Sequence, residues 1–224
     1  MPFGFGPFWR TLFWTSCPVK GLVVCAKYTG CGKPRSREPR ALGLCTLSNR
    51  FRGLGQMALH HDLLHQARSL AHHEPKRPKQ ASLRKSVSSA YYALFHLLTS
   101  AASERLITGP DRGALRSVMR RAFDHAIMKE ACREIGKPNA GKLAKGMDGA
   151  AVPRTLASVA TAFIDLQQAR HEADYDLSRT FTRGEVRTLI AQVEQAFIDW
   201  QTVSKTIPAD VFLAALLAYR GMCR

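Results

Sequence analysis

An all-α fold is predicted, an antiparallel up-and-down bundle of four to five helices carried behind a non-globular N-terminal extension. Three features of the sequence predict it. Apolar residues recur at spacings of three and four through most of residues 57 to 224, no stretch alternates as a half-buried strand would, and Pro and Gly cluster where the periodic segments stop. A chain of 224 residues that is 46% hydrophobic can build a sizeable core, which excludes disorder throughout. The longest nearly unbroken apolar run, Val211 to Tyr219, is far shorter than the roughly 20 residues of a bilayer-crossing helix, so no membrane partner is expected.

Residues 1 to 56 differ from the rest. They hold nine Lys or Arg against a single acid, Glu38, together with four of the six cysteines and many Pro and Gly, and they keep no helical or strand period. We read them as a basic leader without a fold of its own, translated upstream of a working start at Met57. The spacings of Cys17, Cys25, Cys31 and Cys45 form no zinc knuckle, and no cofactor or metal is expected. The segment lacks the flanks and length of an export signal, so a cytoplasmic location with reduced cysteines is expected. The formal charge of +16 points toward polyanions such as nucleic acid. Half of it belongs to the leader, leaving residues 57 to 224 at +8 from 24 basic and 16 acidic residues.

The helices follow in order. Met57 to His73 is a short one, stopped where Pro75 disfavours a helical Glu74. Ala81 to Ile107 is the strongest, with Leu83, Val87, Ala90, Tyr91, Leu94, Leu97, Leu98 and Ala101 on one stripe, and Gly109-Pro110 ends it. Asp111 is placed to cap a third helix running to Ile135, with Val118, Ala122, Ile127 and Ala131 inward. Gly136 to Val152 reads as a mobile basic loop. Pro153 suits the first turn of a fourth helix, whose inner face is Leu156, Val159, Ala160, Phe163, Leu166 and Ala169 and which ends near Tyr175. Thr182 and Glu185 make a capping box for a fifth, and Pro208 opens a last helix ending near Arg220. Long helices with single apolar stripes satisfy one another by packing side by side, which favours a bundle.

Several motifs bear on chemistry. Gly136 to Lys142 matches the spacing of a phosphate loop, but Leu143 stands where a magnesium-binding hydroxyl is needed and a helix, not a strand, precedes it. His61 and His65 lie one turn apart, yet no acid completes a metal shell on that side. Arg112, Arg116 and Arg120 repeat every four residues, and Arg121 widens the ridge; guanidinium groups on one rigid face suit a phosphate backbone. On the fourth helix the turns that carry Phe163 and Leu166 continue to Arg170 and Asp174. A cation and a carboxylate thus extend an apolar stripe, with Tyr91 as a hydroxyl partner across the bundle. A structural polar network and a functional site both fit that pattern.

The run Leu83-Arg84-Lys85-Ser86-Val87-Ser88-Ser89-Ala90-Tyr91-Tyr92-Ala93-Leu94-Phe95-His96, with Ala169-Arg170-His171-Glu172-Ala173-Asp174-Tyr175-Asp176 further on, resembles the HEPN superfamily. The resemblance spans residues 57 to 206 in element order. It implies an up-and-down helical bundle, often a homodimer, that binds RNA or a nucleotide, frequently beside a nucleotidyltransferase or antitoxin partner. Many relatives are metal-independent RNases of toxin–antitoxin or defence systems, with an arginine and a histidine four to six residues apart meeting across the dimer. Carrying that arginine to Arg170 leaves Tyr175, Asp176 and Leu177 where the histidine would stand. Arg68 with His73 and Arg120 with His125 keep the spacing elsewhere. The expectation is therefore a non-catalytic binding domain, with an RNase as the alternative. In that alternative Arg170, Asp174, Tyr91, Tyr175 and His125 are the candidate catalytic residues, with His171 a further proton carrier. A third class, an antitoxin-like module, requires the last helix to dock a partner through Phe212, Leu213, Leu216 and Leu217.

Overall fold

A computed structural model describes residues 59–223. The expectations for the leader and for a start at Met57 lie outside the described residues. All regular structure among those described is helical: α1 Leu59–His72, α2 Gln80–Leu106, α3 Gly113–Arg120, α4 His125–Ile135, a 3-10 segment Pro138–Met147, α5 Arg154–Tyr175, α6 Arg183–Val203 and α7 Ile207–Met222. No described helix is long and apolar enough to cross a membrane.

Helix α2 is the centre of the packing. It contacts α1, α3, α5, α6 and α7, and it buries residues on almost every side, including Ser86, Ser88, Ser89, Thr99, Ser100 and Ser103. The single stripe expected from its sequence is therefore too narrow. Small hydroxyl residues let neighbouring backbones approach, and bonds to neighbouring helices satisfy some of them, as when Ser86 Oγ donates to the Ala67 carbonyl at 2.7 Å. Around α2 the fully buried side chains Tyr91, Leu94, Leu98, Phe163, Leu166 and Phe212 make one continuous core.

The capping box of α6 is present as expected: Thr182 Oγ1 accepts from the Glu185 N–H, and the Glu185 carboxylate accepts from the Thr182 N–H. Helix α5 begins after Pro153 and ends at Tyr175, also as expected. The third expected helix is instead two. Asp124 adopts an extended conformation, and its Oδ1 accepts from the N–H groups of Ala126 at 2.8 Å and Ile127 at 3.0 Å, so α4 starts afresh. The break exposes Val118 (60%) and Ala122, turns Phe123 inward, and leaves Ala131 as the one fully buried residue of the four expected inside. Asp111 caps nothing; Arg112 takes the N-cap position of α3 without a side-chain bond. Asp124→Ala should cost about 1 kcal/mol in urea unfolding, and an unchanged midpoint would show that the cap does not hold the break.

Gly136 to Val152 is not a loose loop. Asn139, Ala140 and Gly141 carry positive φ, and Ala140, Leu143 and Met147 are buried beside α4 and α7. Its organiser is Glu134, whose carboxylate accepts from Lys137 Nζ at 2.8 Å, the Lys142 N–H at 2.7 Å and Tyr219 Oη at 2.8 Å. The string that resembles a phosphate loop thus closes on a carboxylate of its own chain.

Candidate functional site

The apolar stripe of α5 runs through Phe163 and Leu166 to Arg170 and Asp174, as the turn spacing predicted. Arg170 Nε lies 2.6 Å from Asp174 Oδ2, with the two side chains 20% and 31% exposed. The contact is an ion pair without an aligned hydrogen bond, because the Nε–H does not point at the oxygen. The hydroxyl that reaches the arginine is that of Tyr92, which accepts from Arg170 Nη2 at 3.0 Å. Tyr91, expected in that role, instead sits beneath the cation. The guanidinium carbon lies 6.0 Å from the Tyr91 ring, 5.5 Å from Tyr92 and 5.6 Å from Tyr175. Burial alone would ease the proton off Arg170, but Tyr92, Asp174, Tyr175 and Tyr91 outweigh it and keep the group charged.

Sequence reasoning missed a row on α2. Arg84, Ser88, Tyr92 and His96 are spaced by four, and the first three engage α5 in turn. Arg84 donates to the carbonyls of Ala173 at 2.9 Å, Asp176 at 2.8 Å and also Arg179, so it closes the C-terminal end of α5 where the last carbonyls lack helical partners. Ser88 Oγ donates to Asp174 Oδ1 at 2.6 Å, and Tyr92 takes Arg170. The spacing was visible in the sequence; attention to apolar positions hid it.

His125, at the first turn of α4, completes the cluster. Its Nδ1 is 2.6 Å from Tyr91 Oη, its carbonyl accepts from Gln167 Nε2 at 2.9 Å, and its ring lies 4.6 Å from Phe95. Burial, with Arg170 nearby, pushes its pKa below the ordinary imidazole value, while Asp124 acts the other way. Burial raises the Tyr91 hydroxyl, so that group is a donor and not a phenolate at neutral pH. His96 follows along the row; burial, Arg120 and His125 lower its pKa as well.

The structure therefore brings Arg170, Asp174, Tyr91, Tyr175 and His125 together. Rings flank one cation across three elements: Tyr175 (64% exposed), Arg170, Tyr92, then the imidazoles of His96 and His125, whose rings lie 6.3 and 6.4 Å from Tyr92. His171 stacks on Tyr175 at 5.1 Å.

One member of the expected arginine ridge, Arg116, is engaged by the chain's own backbone. Arg112 is exposed at the start of α3, while Arg116 is turned back, its guanidinium donating to the carbonyls of Ile107 at 2.9 Å and Gly109 at 2.5 Å. Arg120 and Arg121 border a pocket with His96. The Arg68–His73 string carries no site geometry, since Arg68 pairs with Glu194 at 2.6 Å. Phe212, Leu213 and Leu216 of α7 are buried within the fold, so the face required by a partner-masking role is already covered.

Comparison of the chain with family models, with curated proteins and with solved structures finds no match.

Proposed function

We propose that this chain is a HEPN-like helical-bundle domain that binds single-stranded RNA or a nucleotide without cleaving it. The observation that carries the reading is the row of rings around one cation, from Tyr175 through Arg170 and Tyr92 to His96. The exposed Tyr175 ring and the half-buried Tyr92 ring offer stacking faces to unpaired bases, and the fixed Arg170 cation between them matches a phosphate that joins those bases. Arg170 is held on three sides by aromatic rings and by Asp174, so its charge is positioned before a ligand arrives. The up-and-down arrangement of the helices belongs to the same proposal.

One feature favours the RNase reading as the alternative. His125 is fixed through Nδ1 by Tyr91, beside Arg170, and an imidazole whose pKa is lowered is available as a base at neutral pH. In that case the ribose 2′-hydroxyl attacks the adjacent phosphorus as His125 takes its proton, the P–O5′ bond breaks to leave a 2′,3′-cyclic phosphate, the 5′-oxygen departs with a proton from water, and Arg170 stabilises the charge on the phosphate.

The full chain incubated with labelled single-stranded RNA in excess chelator decides between them. The expected result is bound, intact RNA, with Tyr175→Ala weakening binding by about 1–3 kcal/mol and Arg170→Gln by at least as much. Cleavage that vanishes in Arg170→Ala would establish the nuclease instead. A wild-type chain that neither binds nor cuts RNA, and binds no mononucleotide, refutes both readings.

A further inference from the structure

Beyond the Tyr175–Arg170 row lies a pocket of about 210 Å³ between α2 and the end of α3. Its polar lining comes from His96, Thr99 and Ser100 on α2 and from Ser117, Arg120 and Arg121 at the end of α3; Leu59 and Phe95 supply apolar wall. No carboxylate of the described residues lines it. Two guanidinium groups, an imidazole and three hydroxyls belong to its lining residues, groups of the kind that donate hydrogen bonds to an anion, and it has room for a phosphate group with part of the attached sugar. It adjoins the row just described, because His96 belongs to both.

We infer that this pocket binds the phosphate group of a nucleotide through Arg120, Arg121 and His96, placing the attached base toward Tyr92. The position of the base rests on the nucleotide-binding reading above; the phosphate site itself does not. Electrostatics give the pocket a second property. Arg120, His125 and His60 all face His96, and the two whose effects on it are resolved, Arg120 and His125, oppose its protonation. A bound phosphate dianion reverses that balance, so binding of the dianion and protonation of His96 are linked, and the bound anion raises the His96 pKa.

The test uses the full chain and three probes, inorganic phosphate, AMP and adenosine, at matched ionic strength set with chloride. Imidazole resonances of His96 are followed against pH at each concentration. Phosphate and AMP should raise the His96 pKa saturably, each displacing the other, while adenosine alone leaves it in place. Arg121 is exposed, and its one hydrogen bond among the described residues is a 3.5 Å contact from Nε to the Ser117 carbonyl, so its replacement leaves the core intact. Arg121→Gln should weaken both anions about tenfold, about the value of one charge-assisted hydrogen bond, and Arg121→Glu should abolish the response with the circular dichroism unchanged. No saturable shift with phosphate or AMP, or equal affinity in wild type and Arg121→Glu, overturns the phosphate site. RNA that binds while phosphate and AMP give no response likewise overturns it and leaves the RNA-binding reading standing. Phosphate that binds while RNA and AMP do not removes the nucleotide reading and upholds the anion site.

Discussion

Gly141→Ala should remove about 4 kcal/mol of stability and lower the thermal midpoint by about 10 °C. Gly141 has φ +50° and ψ −123°, a backbone conformation that L side chains rarely adopt. A Cβ there would stand 2.2 Å from Glu134 Oε1 and 2.9 Å from its carboxyl carbon. The carboxylate cannot swing aside freely, because Lys137, the Lys142 N–H and Tyr219 hold it and its side chain is only 4% exposed. Glu134→Ala strips one acceptor from three donors and should by itself cost about 3 kcal/mol. The decisive measurement is the double variant. With the carboxylate gone, the added methyl keeps only the 3.3 Å approach to the flexible Lys137 side chain, so the two losses should sum to clearly more than the double variant shows. Additive losses would mean that the Gly141 backbone, and not the Glu134 contact, is the whole cause.

Acid should unfold the domain in two adjoining windows. His60 is buried beside His61 and Phe197, and its Nδ1 has no hydrogen-bond partner among the described residues. Burial first, then the neighbouring His61 and His96, lower its pKa from 6.5 to about 4, against a smaller opposing effect of Asp62. The unfolded chain therefore binds a proton between pH 6.5 and 4 that the folded chain refuses. Stability is full above pH 6.5 and falls as the pH drops through that range, by up to about 3 kcal/mol for His60 alone. His96 and His125 are shifted in the same direction and steepen the decline.

Below this range Glu134 takes over. Its burial acts to raise its pKa, but the bonds from Lys137, the Lys142 N–H and Tyr219 prevail and hold it at about 2. Its contribution is present above pH 4.5 and is lost as the pH falls toward 2. Chemical denaturation at a series of pH values should show both windows. His60→Phe should flatten the upper one without touching the lower, and a slope unchanged by that substitution would place the protons elsewhere.

The long helices could be read in the sequence because their signals are local. Periodic apolar residues in α2 and α5, Pro153 at the entry to α5 and the reciprocal Thr182–Glu185 cap each act within a few residues of chain. Where local signals compete, the reading failed. A segment of suitable helical spacing between Asp111 and Ile135 gave no hint that Asp124 would cap a new helix, and the cap is chosen because Phe123 gains burial in the core by the turn. The glycines and lysines of residues 136 to 142 looked like a loose loop, since the carboxylate that orders them is satisfied only when Tyr219 arrives from the far end of the chain.

The candidate site divides along the same line. Sequence by itself determined that Arg170 and Asp174 share a helical face, because i and i+4 positions must, and that a tyrosine-rich helix would lie against them. Tertiary structure alone decided which tyrosine meets the arginine. Tyr91 and Tyr92 differ by one position, about 100° around the helix, and the packing of α2 against α5 turns the hydroxyl of Tyr92 to Arg170 and that of Tyr91 to His125. It likewise engaged Arg116 of α3, because the chain around Gly109 needs a donor for its carbonyls. Helical faces follow from spacing along one segment, whereas the partner across an interface depends on how two rigid helices are rotated against each other, and that rotation is set by the whole core.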